Sequence, residues 1–187
     1  MRALVERIFE GQPGGSVIDV GCGTGANLAA LADEHAVLGV DLSEDAVTFA
    51  RMRFPDIKFL YEGIPLDIGE EFPRPRLFLL MDVLEHVSDD VELLSRLTTM
   101  LTPEDTVLIT VPADRSLWTE HDANNGHYRR YDVATLSATW ANLPLDLVML
   151  TYFNARLYPV AKIMRSISRL RGKSWGREGT DLVVPVE

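Results

Sequence analysis

A dense group of chemically active side chains lies in the stretch Asn124 to Asp132, which reads NNGHYRRYD. Histidine is the natural proton acceptor near neutral pH. His127 lies within this stretch, and His121 lies just before it. The guanidinium groups of Arg129 and Arg130 suit an acidic group or a phosphate. The stretch therefore combines groups that can take up a proton with groups that can pair with an anion.

Two aromatic side chains extend this interpretation, and a structural alternative stands beside it. Trp118 suits stacking on a ring or on a sugar face, and Tyr128 could orient a neighbouring histidine. The same run could instead only tie a loop to the domain, with Tyr131 in the core and the arginines paired with carboxylates. The candidate carboxylates are Asp82, Glu85 and Asp122.

A second group, in the stretch DVLEHV, brings Asp82, Glu85 and His86 together at spacing i, i+3, i+4. These side chains would share one face of a helical turn. Three interpretations are open. Loop backbone satisfies Glu85 or His86, or His86 is a general base or a substrate positioner, or Glu85 and His86 bind a divalent metal together with a later histidine. The sequence alone assigns no metal ligand.

The stretch VIDVGCGTG places Gly21, Gly23 and Gly25 between an apolar run and a helical one. Such a turn lets a ligand approach the backbone and meet the N-terminus of a helix. Asp19 lies inside the first predicted strand. Asp41 ends the second, where a carboxylate can accept hydrogen bonds from both hydroxyls of a ribose. The spacing G-x-G-x-G differs from the dinucleotide fingerprint G-x-G-x-x-G.

Predicted strands alternate with helices of about ten residues, and the strands are continuous apolar runs. This combination favours a parallel sheet covered on both faces. The predicted strands are 16–20, 36–41, 56–61, 76–81, 106–111 and 143–153. Ser43, Ser88 and Asp132 are predicted helix N-caps. Residues 180–187 have only a weak strand pattern.

Composition sets further bounds. The chain has 187 residues, 47% of them hydrophobic, and a net charge of −10, which argues against nucleic-acid binding. A single cysteine excludes a disulfide framework within the chain. We predict one cytoplasmic domain over 1–187, with an insertion over 112–131 and no transmembrane segment. A basic amphipathic helix over 153–177 would suit a membrane surface or a partner, or would dock on the acidic domain.

The stretches VIDVGCGTGANL, LGVDLSEDAVTFAR and LLMDVLEHVSDD resemble the successive motifs of class I S-adenosylmethionine-dependent methyltransferases. The resemblance covers about residues 17–111. It implies an α/β fold with a Rossmann-like, doubly wound, mostly parallel sheet of six to seven strands in an α/β/α sandwich. Because residues 180–187 match the seventh strand of such a sheet poorly, we expect that the sequence is incomplete or that this strand is missing or supplied otherwise. It also implies S-adenosylmethionine as cofactor and S-adenosylhomocysteine as product.

The resemblance further implies roles for the glycine turn and its acids. The turn Gly21–Gly25 would hold the methionine end of the cofactor, and Asp19 would orient this turn and the amino group. Asp41 would bind the ribose, and Leu42 would pack on the adenine. The cofactor-binding residues implied in this way are Asp19, Gly21, Cys22, Gly23, Thr24, Gly25, Asn27, Asp41, Leu42, Gly63, Ile64, Met81, Asp82 and Val83.

The adenine edge departs from the family pattern in one residue. Gly63 and Ile64 would lie at this edge, but the family often has an acid where this chain has Ile64. The contact to the adenine amino group would then fall to backbone or to Glu62. Cys22 is more suited to filling a buried space than to acting as a nucleophile.

The expected reaction is methyl transfer to a small-molecule acceptor, with a hydroxyl as the first choice. Relatives often carry a similar run, GH-x-RRY, after the fifth strand. The predicted catalytic residues are His86, His121 and His127, and the predicted substrate-binding residues are Trp118, Tyr128, Arg129 and Arg130. The alternatives are a lipid-like acceptor presented at a membrane and a non-catalytic subunit that keeps the cofactor fold. The sequence does not indicate an oligomeric state.

Overall fold

The computed structural model describes residues 2–10, 14–65, 67–152, 158–159 and 162–163. The chain divides into two compact units. The first unit comprises Met1–Leu84 and Ser95–Thr110, and the second comprises Glu85–Leu94 and Val111–Glu187. The predicted single domain over 1–187 stays a prediction.

The first unit contains a parallel sheet of five strands in the order β3-β2-β1-β4-β5. The strands are β1 Ser16–Val20, β2 Ala36–Asp41, β3 Lys58–Tyr61, β4 Arg76–Met81 and β5 Thr106–Thr110. The order reverses direction between β1 and β4, which is the point where open α/β sheets bind ligands at the carboxyl ends of their strands. The predicted fold class is confirmed.

The helices are short, and most of them follow a strand. They are α1 Arg2–Ile8, α2 Ala26–Ala29, α3 Glu44–Arg53, α4 Asp90–Thr98, α5 Glu120–Asn124 and α6 Val133–Ala138. Two 3-10 turns, Leu84–His86 and Arg115–Leu117, complete the regular structure of the described residues. A helix of four to ten residues is not stable alone, so burial of apolar side chains must hold these elements.

The apolar runs of the sequence form the centre of the sheet. All five residues of β1 are buried, and Leu77 to Leu80 of β4 are fully inaccessible to solvent. Strands that are buried on both faces carry apolar residues continuously rather than alternately. Val5 of α1 is also fully buried, and Phe9 is 8% exposed. The first and fourth strands therefore coincide with the predicted ranges.

Helix caps follow the predictions at two of three positions. Ser43 accepts a hydrogen bond from the Ala46 backbone N–H at 3.2 Å, and Asp132 accepts one from Thr135 at 2.8 Å. The Ser88 prediction is wrong. Helix α4 begins at Asp90, and Asp89 Oδ1 accepts from the Glu92 backbone N–H at 2.9 Å. A carboxylate at this position also interacts favourably with the positive end of the helix.

The predicted sixth strand is not formed in 143–152, the part of its range that the structure describes. Leu147, Val148 and Met149 are 58%, 92% and 52% exposed. An apolar extended segment becomes a strand only when its backbone pairs with a neighbour, and no pairing partner is found for it among the described residues. The predicted seventh strand lies outside the described residues.

The second unit is built around the segment that follows β5. Helices α5 and α6 flank the run His127 to Tyr131, and the backbone of Asp114 donates a hydrogen bond to the Tyr131 carbonyl at 3.0 Å. The Tyr131 hydroxyl donates to Asp90 Oδ2 at 2.6 Å in a buried contact. Of the predicted basic helix over 153–177, only 158–159 and 162–163 are described, and they are helical. Within the described part of the chain, no helix is long and apolar enough to cross a membrane.

Candidate active site

Three glycines after β1 all have left-handed backbone conformations. The φ angles of Gly21, Gly23 and Gly25 are 75°, 52° and 78°, values that cost other residues energy. A Cβ at Gly21 would lie 2.7 Å from Val83, and one at Gly25 would lie 2.5 Å from the Phe59 ring. A Cβ at Gly23 would meet nothing within 4 Å. The outer glycines therefore serve packing, whereas Gly23 borders open space that a ligand can enter.

Asp41, at the carboxyl end of β2, fixes this turn in place. Its Oδ2 accepts a hydrogen bond from the Gly23 backbone N–H at 2.8 Å, and its Oδ1 accepts one from the Ser43 backbone N–H at 2.8 Å. Each carboxylate oxygen has a second lone pair for a ligand hydroxyl. Asp41, the residue predicted to bind the ribose, therefore also supports the structure of the glycine turn.

Asp19, in β1, is fully buried, and neither of its carboxylate oxygens has a hydrogen-bond partner among the described residues. Burial raises the pKa of Asp19 to about 7, an effect that the nearby Asn27 side chain opposes and the charge of Asp41 reinforces. The Asn27 side chain lies near enough to affect the pKa without completing a hydrogen bond. A buried carboxylate without donors beside a glycine turn fits an ammonium group, such as that of a methionine moiety.

The remaining predicted cofactor residues differ in exposure. Leu42 is 74% exposed, whereas Ile64 is 8% exposed and belongs to the packed interior. Asp82 has a positive φ of 55°, and its backbone N–H donates to the Thr110 carbonyl at 3.0 Å. Residues Gly63, Met81 and Val83 lie in the first unit with them, as do Thr24 and Asn27.

Cys22 is a packing residue of this turn. Its side chain is buried, and its sulfur would lie 2.8 Å from a Cβ at Gly39. Burial raises the pKa of the thiol to about 12, and the charges of Asp19 and Asp41 act in the same direction. A thiol in this state is a poor nucleophile.

In the second unit the predicted groups from two separate stretches meet. One ligand atom from each of Glu85, His86 and His127 can be chosen so that all three lie within 4.8 Å of one another. The His86 and His127 rings contact edge to face, with centroids 4.5 Å apart. The Tyr128 backbone N–H donates to the Glu85 carbonyl at 2.7 Å, which holds the two stretches together. Glu85 is 1% exposed, whereas His86 is exposed, so these two do not share one solvated face.

One carboxylate and two imidazoles form a donor set that suits several divalent cations. The residues present therefore fit a metal as well as a proton acceptor. If a cation bound here, Glu85, His86 and His127 would hold it, and it would polarise an acceptor oxygen and lower its pKa.

The two predicted arginines are both engaged by the protein. Arg130 donates from Nε to Asp122 Oδ1 at 2.7 Å, and its Nη2 lies 2.6 Å from the same oxygen. Arg129 donates to the carbonyls of Val87 and Ser88 at 3.1 and 2.6 Å and pairs with Asp90 at 2.9 Å. These contacts agree with the structural alternative for the pair Arg130–Asp122, and they leave few donors for an anionic acceptor.

The other predicted residues of this unit differ in exposure and in their partners. His121 lies 2.9 Å from the Asn125 side chain, between Nε2 and Nδ2, on the exposed side of α5. Tyr128 is 61% exposed, and Trp118 is half-buried. Tyr128 is therefore accessible to the ring of an acceptor. The Arg129 guanidinium lies 5.9 Å from the centroid of the Tyr128 ring.

Asp122 was assigned no site role from the sequence, although it contacts both His127 and Arg130. Its Oδ1 lies 3.3 Å from His127 Nδ1, and its side chain is fully buried. The one feature of the sequence that points to Asp122 is its spacing from Thr119, which is the spacing of a capping box. The structure contains this capping box. That spacing identifies a helix start and does not reveal the tertiary partners.

A family model described as a methyltransferase domain matches residues 1–150. None of the curated protein sequences compared with the chain matches it. Many solved structures share its fold at low sequence identity. The YcgJ protein from Bacillus subtilis superimposes with a TM-score of 0.59 at 16% identity, over 75% of this chain and 66% of that one.

Two further structures were solved with S-adenosylmethionine. Phosphoethanolamine N-methyltransferase 2 from Haemonchus contortus has a TM-score of 0.64 at 19% identity, over 91% of this chain. The magnesium protoporphyrin IX methyltransferase from Synechocystis has a TM-score of 0.56 at 18% identity, over 81% of this chain and 72% of that one. The present chain spans only 42% of the Haemonchus protein and slightly under two thirds of the Bacillus protein.

The family match covers residues 1–150, which is most of the chain. The predictions of a class I methyltransferase and of S-adenosylmethionine as its cofactor are confirmed. The chain belongs to the methyltransferase domain family.

Proposed function

We propose that this protein transfers the methyl group of S-adenosylmethionine to a hydroxyl group of a small-molecule acceptor. The cofactor part rests on Asp19, Gly23 and Asp41, which combine a buried carboxylate without donors, an open backbone approach and a ribose-type acid. The acceptor part rests on one observation, the grouping of Glu85, His86 and His127. A non-catalytic scaffold would have no need of three ionisable side chains at one place.

These residues need to contribute little to bond breaking, because the sulfonium of the cofactor already releases its thioether readily. In the transfer, an acceptor oxygen forms a bond to the methyl carbon while the carbon–sulfur bond breaks, and the cofactor leaves as a neutral thioether. The oxygen must lose its proton, and a neutral imidazole of His127 or His86 can receive it. Alignment of the two reactants and exclusion of water supply most of the remaining rate.

The neighbouring enzymes leave the acceptor atom open. One is titled as an N-methyltransferase of phosphoethanolamine and another as a methyltransferase of magnesium protoporphyrin IX, so this fold accommodates different acceptors. The hydroxyl is preferred here because histidines beside a carboxylate suit the removal of a proton. The engagement of Arg129 and Arg130 by Asp90 and Asp122 argues against an acceptor that depends on these two arginines.

The first experiment is calorimetric titration of the purified protein with S-adenosylmethionine and S-adenosylhomocysteine, beside an Asp41→Ala variant. We expect binding by the natural sequence and a loss of at least about 100-fold in affinity in the variant, because a charge-assisted contact and the fixed glycine turn are both lost. No binding to folded natural protein would contradict the proposal. Candidate acceptors are then screened by release of S-adenosylhomocysteine.

Metal assistance is the second candidate, because the same three residues fit a divalent cation. Dialysis against a chelator, followed by readdition of magnesium, manganese or zinc, distinguishes metal assistance from proton transfer to histidine alone. Activity that survives the chelator supports proton transfer to histidine alone. Activity that is lost and then restored by one cation supports a metal held by Glu85, His86 and His127.

A lipid-like acceptor is the remaining alternative, and it depends on the predicted basic helix over 153–177. Sedimentation with vesicles that contain anionic phospholipid tests it directly. Binding that is lost in about 0.5 M salt would favour this alternative, since attraction between a basic helix and a charged surface is screened by salt.

A further inference from the structure

Asp122 is a buried carboxylate with an unusually complete set of donors. Its Oδ2 accepts from the Thr119 backbone N–H at 2.8 Å and from the Thr119 hydroxyl at 3.0 Å. Its Oδ1 contacts Nε and Nη2 of Arg130 at 2.7 and 2.6 Å. Burial acts to raise the pKa of Asp122, but the hydrogen bonds from Arg130 and Thr119 outweigh it and hold the pKa below its usual range. Because it faces the Arg130 guanidinium and the Thr119 donors, the carboxylate is ionised and only accepts hydrogen bonds.

His127 is tied to this carboxylate at two points. Its backbone N–H donates to the Asp122 carbonyl at 2.9 Å, and its Nδ1 lies 3.3 Å from Asp122 Oδ1. Gly126, with a φ of 73°, lies in the turn between the end of α5 and His127. This turn brings the His127 backbone within hydrogen-bonding distance of Asp122. An ionised carboxylate has no proton to donate, so the hydrogen of this contact resides on Nδ1.

The other ring nitrogen of His127, Nε2, has a different environment from Nδ1. The His127 side chain is 13% exposed and contacts the His86 ring edge to face. Among the described residues, no hydrogen bond to His127 Nε2 is found. A neutral imidazole that carries its hydrogen on Nδ1 has a lone pair on Nε2, and this lone pair can take a proton or bind a cation.

We propose that Asp122 is a positioning residue that holds His127 in the Nδ1–H tautomer and so keeps Nε2 as the reactive nitrogen of the group with Glu85 and His86. This inference rests on the proposed function, in which His127 acts on the acceptor. It adds the residue that orients the histidine. A carboxylate that orients an imidazole through Nδ1 serves the same purpose in triad enzymes and in the outer shell of metal sites.

The competing explanation is that Asp122 serves only as the partner of Arg130 and as a cap for α5. In that case the contact of 3.3 Å would be incidental, and the ring of His127 would exchange between tautomers. The tautomer is therefore the quantity to measure, because a purely structural role does not fix it.

The test is long-range proton–nitrogen NMR of the natural protein labelled with nitrogen-15. The spectrum is recorded at about pH 9, well above the reference pKa of histidine. The signals of the four histidines are assigned with His→Gln variants. We expect His127 to show a protonated Nδ1 and an unprotonated Nε2. A protonated Nε2, or averaged shifts for the two nitrogens, would overturn the inference without need of any Asp122 variant.

Asp122→Asn then tests the cause. Loss of the negative charge should mix the two tautomers of His127, and turnover should fall about 10- to 100-fold while the affinity for S-adenosylmethionine stays within about twofold. Asn125→Ala is the matched control, since it removes the partner of His121 on the same helix and should leave the His127 tautomer unchanged. An unchanged His127 tautomer in folded Asp122→Asn would contradict the inference.

Failure of this inference is distinguishable from failure of the proposed function. The tautomer is read from the unliganded protein, whereas cofactor binding is read by calorimetry. A protein that binds no S-adenosylmethionine but shows the Nδ1–H tautomer would retain the Asp122–His127 arrangement and lose the proposed reaction. A protein that methylates its acceptor with a freely exchanging His127 tautomer would do the reverse.

Discussion

The glycine turn of the first unit and the histidine group of the second use different means to hold a site. The turn is defined by backbone conformation, with three glycines at positive φ and one carboxylate, Asp41, that binds the backbone N–H of Gly23. The histidine group is defined by side chains, through the ion pair of Asp122 with Arg130 and the contact of Asp122 with His127. The glycine turn owes its shape to its own three glycines and to one carboxylate 18 positions further along the chain. The histidine group also needs His86, which lies in a separate stretch and contacts the His127 ring only in the folded chain.

This difference should be visible in how each region fails. A backbone site tolerates few side chains because the conformation itself is strained for residues other than glycine. A side-chain network fails when one member leaves its partner buried and uncompensated. The four predictions below run from the largest expected effect to the smallest.

The sharpest contrast is between two glycines of the same turn. Gly25→Ala should lower the free energy of unfolding by about 3 kcal/mol, because it adds backbone strain at φ 78° and forces a Cβ against the buried Phe59 ring. Gly23→Ala should cost only about 1 kcal/mol in stability, since open space surrounds its Cβ. It should instead weaken S-adenosylmethionine binding. Urea unfolding and calorimetry on both variants measure the two effects, and equal stability losses would contradict the assignment.

In the side-chain network, the two arginines should differ. Arg130→Ala should cost about 3 kcal/mol in unfolding free energy, because Asp122 is fully buried and loses its counter-ion. Arg129→Ala should cost about 1–2 kcal/mol, since its side chain is 29% exposed and Asp90 keeps the Tyr131 hydroxyl as donor. Chemical denaturation of both variants measures this. A larger loss at Arg129 would mean that Asp90, rather than Asp122, is the central carboxylate of the unit.

Asp19 should make the unfolding free energy of the unliganded protein depend on pH. Burial raises the pKa of Asp19 from 3.8 to about 7 in the folded chain, so the folded state holds an extra proton between these values. Stability from this group is fully present below about pH 4 and declines as the pH rises to about 7. Asp19→Asn should remove this decline, which is about 1 kcal/mol for each pH unit between about pH 5 and pH 6.5. It should also weaken cofactor binding.

Thermal unfolding of both proteins from about pH 4 to pH 8 measures the effect of Asp19, because other titrating groups contribute equally to the two curves. The variant should gain stability relative to the natural sequence as the pH rises. Parallel curves would show that Asp19 is not buried as an unpartnered carboxyl group.

The smallest effect is expected at Tyr131. Burial raises the pKa of its hydroxyl, and the hydrogen bond to Asp90 acts in the same direction, so the group stays protonated and donates. Tyr131→Phe should lower the unfolding free energy by about 1–2 kcal/mol and leave cofactor affinity unchanged, because Asp90 retains Arg129. A marked loss of S-adenosylmethionine binding in this variant would indicate that the two units are coupled energetically.

The sequence by itself determined the sheet and the glycine turn. Continuous apolar runs placed β1, β2 and β4 at the observed residues, because a strand that is buried on both faces needs apolar side chains throughout. The order of glycines and acids placed Asp19 and Asp41 at the ends of neighbouring parallel strands. Both signals are short-range, so they survive in a single sequence.

The sixth strand shows where local pattern is insufficient. Residues 143–152 have the composition of a strand, yet they form no strand and most of them are exposed. Composition favours a pleated conformation but supplies no hydrogen-bond partner, and strand pairing is a property of two segments. The sequence could indicate the tendency but not the outcome.

Only the tertiary structure decided the partners of the histidine group. His86 and His127 are 41 positions apart in the chain, and neither spacing nor composition shows that their rings touch. Asp122 was one of three candidate partners for the arginines, and the structure pairs it with Arg130 and also brings it into contact with His127. Contacts between segments distant in sequence depend on how loops close on one another, which is a physical outcome of the whole fold rather than of any one stretch.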